Sequence, residues 1–380
     1  MHKITIYPVG NGDTSQITLK NNKRILFDFR HQIQGENEDH PVIDLKKQLL
    51  NELAESKRDY FDVVAFTHGD KDHIDRSTEF FELWHAKKYQ GEGRIKINEL
   101  WVPAAMILDT ATNDKQSNEF VIWRQEARHR LIEGKGIQVF SKPDKLKKFL
   151  EDNGLTVESR QHLITDAGKL AKGFSLQNDG VEFFCHSPFI KHVDYQEDIA
   201  RNEASLVFQV RFEIDGTQVN YLAVGDSTYD VLDDIVRISQ FHKRDDRLNW
   251  DIFNIPHHCS WRVLGPEKGD KETIPSDQVK ELLLHGQPGA FLVSSSNPIP
   301  NTDEAYTQDQ PPHIQAKNTY KKFLRQVGGN DFLVSMEEPN EKKPEPLVFE
   351  ISGKGVRRRT NSVLGSAAII SSIAPRAGNV

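Results

Sequence analysis

The chain has 380 residues, of which 37% are hydrophobic and 28% charged, and its formal net charge is −7. This composition excludes an intrinsically disordered chain and indicates either one large α/β domain with insertions or two domains. The acidic balance gives no whole-molecule argument for nucleic-acid binding, although it leaves a local basic patch open. With two cysteines, Cys185 and Cys259, no more than one disulfide bridge can form, and a Cys-x-x-Cys zinc site is excluded.

The two ends of the chain bear on its predicted cellular location. Residues 1–6 run directly into a strand pattern and lack the features of a signal peptide. The apolar stretch at 362–374 is too short to span a bilayer and is rich in small residues. Together with the low cysteine content, these features predict a cytoplasmic protein without membrane contact.

Periodicity predicts strands and helices that alternate in two halves, each half beginning with antiparallel strands. The first half has a β-meander at 3–29, a helix at 43–58, a buried strand at 60–66 and a helix from 77. Strands are predicted at 181–186, 205–212, 219–224, 250–255, 290–294, 331–335 and 346–351, and helices at 229–238, 274–285 and 314–326. We assign 1–352 to one domain that carries a largely helical insertion at about 85–180, and 353–380 to a flexible tail with a basic start.

A dense group of ligand-type side chains directly follows the strand predicted at 60–66. Its members, within six positions, are His68, Asp70, Asp72 and His73. Two imidazoles and two carboxylates on a loop at a strand end form a mixed nitrogen and oxygen site that suits Zn²⁺ or Mn²⁺. The alternative is an ordinary solvated, charged turn.

Two further strands end in residues of the same kind. Asp226 follows the strand predicted at 219–224 and can either reach a metal or cap the next helix. His257 and His258 follow the strand predicted at 250–255, and one can bind metal while the other orients it or contacts substrate. Because strands that end on the same rim of an α/β sheet bring their loops together, we expect these residues to form one site.

These residues resemble the metallo-β-lactamase superfamily, and within it the branch found in the hydrolase-like domain of ComEC-type DNA-uptake proteins. The matching motifs, in chain order, are Val9-Gly10-Asn11-Gly12-Asp13, Leu26-Phe27-Asp28, His68 to His73, Asn202-Glu203-Ala204-Ser205-Leu206-Val207, Gly225-Asp226 and His257-His258-Cys259-Ser260. They extend over roughly residues 3 to 335. Asp70 stands where the superfamily usually has a second His, a replacement common in the ComEC-like branch.

The resemblance implies an αββα sandwich that holds two divalent metal ions, Zn or Mn. By this resemblance His68 and Asp70 hold one ion, Asp72, His73 and one of the adjacent histidines hold the other, and Asp226 bridges them. A hydroxide between the ions would be the nucleophile. We assign His257 to the metal and His258, together with Asp72, to catalysis, although the motif does not distinguish the two histidines. Asp28 would orient a ligand His from outside the site.

The sequence departs from the family pattern at two places. Cys259 replaces a Gly beside the metal, and the third His ligand of the superfamily has no clear counterpart. His186 is a candidate for that position, with a packed strand-end His as the alternative. His313 resembles a late His near the family's substrate site, with a surface-loop His as the alternative, and Asn202 completes the residues expected to surround the metals or contact substrate.

Three functional hypotheses follow. The oxygen-rich donor set favours a phosphate-ester substrate, so the first is a phosphodiesterase or nuclease acting on DNA or RNA. The second is a hydrolase of a small ester, lactone or thioester. The third is a non-catalytic module that binds a partner protein through the insertion or the tail.

Overall fold

In the computed structural model, residues 1–109, 117–188 and 204–360 are described. Within these ranges the strands form two sheets, one of nine and one of six strands. The nine-stranded sheet contains β1 (His2–Ile6), β2 (Ser15–Thr18), β3 (Arg24–Phe27), β4 (Tyr60–Ala65), β5 (Lys96–Pro103), β6 (Ile137–Phe140), β7 (Ile164–Thr165), β14 (Leu347–Ser352) and β15 (Gly355–Arg359). The six-stranded sheet contains β8 (Val181–Ser187), β9 (Val207–Ile214), β10 (Thr217–Val224), β11 (Trp250–Ile255), β12 (Gly286–Ser294) and β13 (Asp331–Val334).

The strand order is β15-β14-β1-β2-β3-β4-β5-β6-β7 in the larger sheet and β13-β12-β11-β10-β9-β8 in the smaller one. Each sheet combines an antiparallel part with a parallel part. In the larger sheet β3 to β7 run parallel, and in the smaller sheet β10 to β13 do. This is the arrangement of two halves, each beginning with antiparallel strands, that the sequence predicts.

Helices connect the parallel strands, as crossovers between such strands require. In the described ranges the α-helices are α1 (Leu45–Glu55), α2 (Lys71–Ile74), α3 (Ser77–Phe80), α4 (Ala105–Leu108), α5 (Asn118–Glu133), α6 (Lys147–Asp152), α7 (Val157–Arg160), α8 (Leu176–Asp179), α9 (Tyr229–Phe241), α10 (Asp277–Leu284) and α11 (Ile314–Gln326). Short 3₁₀ turns lie at Ile33–Glu36, Lys87–Tyr89, Pro143–Leu146, Gln161–Leu163, Asp245–Arg247, His257–Cys259, Trp261–Val263 and Glu304–Thr307.

Three apolar layers hold these elements together. The inner faces of the two sheets pack on each other through buried side chains such as Ile17, Phe208 and Ile252. The outer face of the larger sheet packs on α1 and α5, and the outer face of the smaller sheet packs on α9, α10 and α11. The order of layers is therefore helix, sheet, sheet, helix, which confirms the predicted αββα fold class.

The segment 85–180 differs from the helical insertion that was expected. It contains α4 to α8, but it also supplies β5, β6 and β7, which extend the larger sheet beyond β4. Because these strands pair in parallel register with each other and with β4, the segment is part of the sheet rather than a helical addition to it. The limits of the domain itself stay a prediction.

The predicted tail and one predicted helix also need correction. Residues 355–359 form β15, which pairs with β14 at the edge of the larger sheet, so the basic start of the tail is a strand. Residues 361–380 lie outside the described ranges. The helix that begins at Ser77 ends at Phe80, after which the chain turns to extended backbone.

None of the helices in the described ranges combines the length and apolar character that crossing a bilayer demands. The cytoplasmic location stays a prediction.

Candidate metal centre

The candidate site lies where strands of both sheets end. β3 and β4 are parallel neighbours in one sheet, and Asp28 follows the first and His68 the second. β10 and β11 are parallel neighbours in the other sheet, and Asp226 and His258 follow them. The structure thus brings together the strand ends that the sequence predicts to share one rim.

Asp28 holds both ends of the loop that carries His68 to His73, which is called the metal-type loop below. One of its oxygens accepts a hydrogen bond from the Thr67 backbone N at 2.7 Å, and the other accepts from the Thr67 hydroxyl at 2.7 Å. That second oxygen also lies 2.7 Å from Nδ1 of His73. All three residues are buried, and Asp28 adopts a left-handed backbone with φ 54°. These contacts are the ones that the predicted orienting role of Asp28 requires.

The three histidines of the site share one orientation. Nδ1 of His73 faces Asp28, Nδ1 of His258 lies 2.9 Å from the Ser295 carbonyl oxygen, and Nδ1 of His68 lies 3.1 Å from the Thr67 hydroxyl. In the neutral rings of His73 and His258 these acceptors favour the proton on Nδ1, which would leave the lone pair of Nε2 for a metal ion. An imidazole held in this way is the usual form of a metal ligand.

Four side chains converge on one point. Asp72, His73, Asp226 and His258 each offer a ligand atom, and these atoms all lie within 4.8 Å of one another. Asp226 is central, because its Oδ1 is 3.2 Å from Nε2 of His73 and its Oδ2 is 3.7 Å from Nε2 of His258. Nε2 of His258 lies 3.1 Å from Oδ2 of Asp72.

His68 and Asp70 lie next to the four-residue group, and the ring centre of His68 is 4.0 Å from that of His73. Nε2 of His68 is 3.9 Å from Oδ2 of Asp226 and 3.7 Å from Oδ2 of Asp70. His68 is buried, whereas the Asp70 side chain is 35% exposed. Asp226 is therefore within 4 Å of Nε2 of His68, His73 and His258, and its bridging role stays a prediction.

The polar atoms of this site fit a divalent cation. Nε2 of His68, Nε2 of His73 and Oδ1 of Asp226 are fully buried and have no hydrogen-bond partner within the described residues. Buried donors and acceptors without partners cost about 1–3 kcal/mol each, and a coordinated cation would remove that cost. Imidazole nitrogens and carboxylate oxygens are suitable ligands for Zn²⁺ and Mn²⁺.

The electrostatics of the site also favour positive charge. Burial acts to lower the pKa of His73, but the carboxylates of Asp226 and Asp28 raise it well above its usual value. Burial acts to raise the pKa of Asp226, but the neighbouring imidazoles of His73 and His258 hold it well below its usual value. The carboxylates thus attract positive charge to the centre of the cluster, where a metal ion would supply it.

Close packing at Gly225 lets the two sheets meet at the site. A Cβ at this position would lie 2.7 Å from Oγ1 and 2.8 Å from Cβ of Thr67. Any larger residue would separate Asp226 from the loop that carries His68 and His73. The glycine of the Gly-Asp motif is therefore needed to keep Asp226 close to that loop.

Of the two adjacent histidines, the structure places His258 rather than His257 in the group of candidate metal ligands. His258 belongs to the four-residue group, whereas His257, which we assigned to the metal, does not. The reason is the turn: His257, His258 and Cys259 have φ of 48°, 51° and 64°, and this left-handed path directs His258 into the site. His257 is partly exposed beside it, and its Nδ1 has no partner among the described residues.

The thiol predicted to lie beside the metal instead packs away from it. Sγ of Cys259 lies 3.9 Å from the His313 carbonyl oxygen, and the side chain is fully buried.

His186 and His313 do not join the four-residue group. Nε2 of His186 lies 2.9 Å from the Arg247 carbonyl oxygen, and burial lowers its pKa to about 4. Because that nitrogen is already hydrogen-bonded away from the four-residue group, His186 matches the alternative of a packed strand-end His. His313 supports the turn from behind, because its backbone N donates to the Cys259 carbonyl oxygen at 3.0 Å. Asn202, the remaining residue expected near the site, lies outside the described residues.

Sequence reasoning did not single out two charged residues beside the cluster. Asp13 is buried, its Oδ1 accepts from Nδ2 of Asn254 at 3.2 Å, and burial raises its pKa. Arg30 follows Asp28 by two positions and lies against Gly12. Asp13 is the last residue of the Val9 to Asp13 motif and Arg30 comes two residues after the Leu26-Phe27-Asp28 motif, which is the signal that could have assigned them a role.

No protein-family model matches the sequence, and no curated protein matches it. Among solved structures, a class B3 di-zinc metallo-beta-lactamase from an Alaskan soil metagenome matches at 11% identity and a TM-score of 0.32, covering 85% of this chain and 88% of that chain. A diphosphatase from the PhnP family matches at 11% identity and a TM-score of 0.30, covering 83% and 94%. Zn(2+)-bound PqqB from Methylobacterium extorquens matches at 11% identity and a TM-score of 0.31, covering 92% and 100%. Likenesses at this level do not place the chain in a family.

Proposed function

We propose that the chain is a metal-dependent hydrolase of phosphate esters, with phosphodiesters, including nucleic acids, as its substrates. The observation that carries this proposal is the convergence of Asp72, His73, Asp226 and His258, whose ligand atoms lie within 4.8 Å of one another. Three of these side chains are buried, and a charged cluster of this kind is costly in the core of a protein without a bound counter-charge.

The donor set supports two ions rather than one. Asp72, His73 and His258 would hold one ion, His68 and Asp70 would hold the other, and Asp226 would reach both. Three carboxylates among six donors make the set oxygen-rich, which suits Mn²⁺ as well as Zn²⁺. Bound divalent ions would act as Lewis acids. They would lower the pKa of water so that hydroxide is available as a nucleophile at neutral pH, and they would offset the negative charge of a phosphate ester.

The protein's own groups set the geometry in which this chemistry takes place. Asp28 and the Ser295 carbonyl oxygen hold the Nδ1 protons of His73 and His258, so both rings are fixed with Nε2 toward the cluster. Asp72 and Asp70, with side chains 33% and 35% exposed, form the open side of the site. A substrate therefore approaches from the loop that carries these two carboxylates.

The test combines metal analysis with a substrate panel. Purified protein loaded with Mn²⁺, Zn²⁺ or Mg²⁺ is assayed on bis(para-nitrophenyl) phosphate and on single- and double-stranded DNA and RNA. We expect about two ions per chain and metal-dependent cleavage of phosphodiesters. Asp72→Ala should abolish cleavage and lower the metal content, whereas Asp75→Ala, on the same loop but outside the donor group, should change neither.

Two results would contradict the proposal. Hydrolysis of a small ester, lactone or thioester without turnover of any phosphodiester would favour the second hypothesis from the sequence. Failure to bind any of the three metals would favour a non-catalytic module that binds a partner protein.

A further inference from the structure

The Arg30 side chain has an unusual environment beside the metal-type loop. Its Nε and Nη1 are fully buried and have no hydrogen-bond partner among the described residues. No ion pair of Arg30 within 4.0 Å exists in the described ranges either, although other arginines near the surface pair with carboxylates, as Arg58 does with Asp62. Buried guanidinium N–H groups are normally satisfied, because leaving them unpaired costs more than for neutral donors.

The position of Arg30 is created by the absence of a side chain at Gly12. A Cβ on Gly12 would lie 2.2 Å from Cδ and 2.6 Å from Nη1 of Arg30, and 2.7 Å from the backbone oxygen of Asp72. The arginine therefore passes through the space that a side chain at residue 12 would fill, and the backbone oxygen of Asp72, a residue of the donor group, borders the same space. Its own backbone N is held by the Thr14 hydroxyl at 2.9 Å.

Carboxylates surround this guanidinium without contacting it. Burial lowers the pKa of Arg30, while the negative charges of Asp72, Asp75, Asp13 and Asp226 act to raise it. Arginine stays charged under these conditions because its pKa starts above 12. When metal ions neutralise the carboxylates of the donor group, the positive charge of Arg30 is left facing the site.

We propose that Arg30 binds a non-bridging oxygen of the substrate's phosphate group next to the metal centre, and so selects phosphate esters over neutral esters. The inference rests on the proposed function and identifies the residue that recognises its substrate class. A planar guanidinium donates two parallel hydrogen bonds to a phosphate, which an ammonium group cannot do. A phosphate oxygen held at the guanidinium would supply an acceptor that the described residues do not provide.

The test measures binding of inorganic phosphate to the Mn²⁺-loaded protein by isothermal titration calorimetry. Arg30→Gln should weaken phosphate binding about tenfold or more, since hydrogen bonds to charged groups are among the stronger ones. Arg30→Lys, which keeps the charge and the stem, should give an intermediate affinity and serves as the second variant if Arg30→Gln does not fold. The matched control is Arg262→Gln, an exposed arginine on the loop that follows His258, which should bind phosphate like the wild type.

Metal content, measured on the same samples, separates this role from a structural one. Loss of bound Mn²⁺ in Arg30→Gln would show that the guanidinium supports the metal loop, and it would overturn the inference. Unchanged phosphate affinity in Arg30→Gln and Arg30→Lys would overturn it as well. If weakened phosphate binding occurs in a protein that cleaves no phosphodiester, the inference about Arg30 stands and the proposed function fails.

Discussion

Asp28 and His73 are 45 positions apart in the chain, yet Oδ2 of the first lies 2.7 Å from Nδ1 of the second. Parallel pairing of β3 and β4 explains this contact, because Phe27 and Ala65 are paired and the two strands end at the same edge of the sheet. The contact links the register of the sheet to the orientation of a donor in the candidate metal centre.

We therefore expect Asp28→Asn to weaken metal binding without removing a ligand. Loss of such an orienting group typically lowers metal affinity about 10- to 100-fold. Competition with a chelator would measure the affinity. Asp62→Asn is the matched control, because Asp62 is a strand residue that pairs with Arg58 away from the site. Equal metal affinity in wild type and Asp28→Asn would show that the contact has no orienting role.

The adjacent histidines offer a second prediction in which each is the control for the other. His258→Ala should lose bound metal, because His258 belongs to the four-residue group. His257→Ala should retain its metal, because this side chain lies outside that group. Metal analysis of both purified variants is the measurement. The reverse result would restore the assignment made from the sequence.

Local patterns were enough to predict several elements of this fold. The bounds of β11 and α11 agree with those expected, because a six-residue stretch with four large apolar side chains and a helical period over thirteen residues are local properties. The convergence of His68, Asp226 and His258 was also predictable. Each follows a buried strand, and β10 and β11 are parallel neighbours that end at one rim, whereas His68 follows β4 of the other sheet and comes close only because the two sheets pack together.

Other features depend on contacts between distant parts of the chain. Whether β5, β6 and β7 join the larger sheet is decided by pairing with β4, which no local pattern contains. The choice between His257 and His258 depends on left-handed backbone angles in three consecutive residues that are not glycine, a conformation that such residues seldom adopt. The position of Arg30 depends on the space at Gly12, eighteen residues earlier.

The two cysteines give a third prediction. Both thiols are fully buried, and burial raises the pKa of Cys259 to about 12, so the reactive thiolate is scarce near neutral pH. The native protein should not react with a thiol reagent such as Ellman's reagent at about pH 8. After denaturation both cysteines should react. Rapid modification of the native protein would contradict the packing of Cys259 away from the site.

A buried ion network in α5 gives the last prediction. Glu126 accepts hydrogen bonds from the backbone N atoms of Trp84 and His85, and Oε1 also accepts from Nε of Arg130 at 2.7 Å. Glu126 and Arg130 are fully buried, and the Arg130 guanidinium lies 3.8 Å from the centre of the Trp84 ring.

Burial acts to raise the pKa of Glu126, but the His85 contact and the Arg130 charge outweigh it and lower the pKa from 4.5 to about 2. Since the folded-state pKa is below the unfolded value, the network stabilises the fold fully above about pH 4.5. That stability is lost as the pH falls toward 2.

Glu126→Gln should therefore lower the free energy of unfolding by on the order of 3 kcal/mol near pH 7. The difference from the wild type should shrink as the solution is made acidic. Urea denaturation at several pH values measures both effects. Glu133→Gln, at an exposed position of the same helix, should cost little at any pH. A difference between wild type and Glu126→Gln that does not change with pH would show that packing, rather than the charge of Glu126, stabilises this part of the fold.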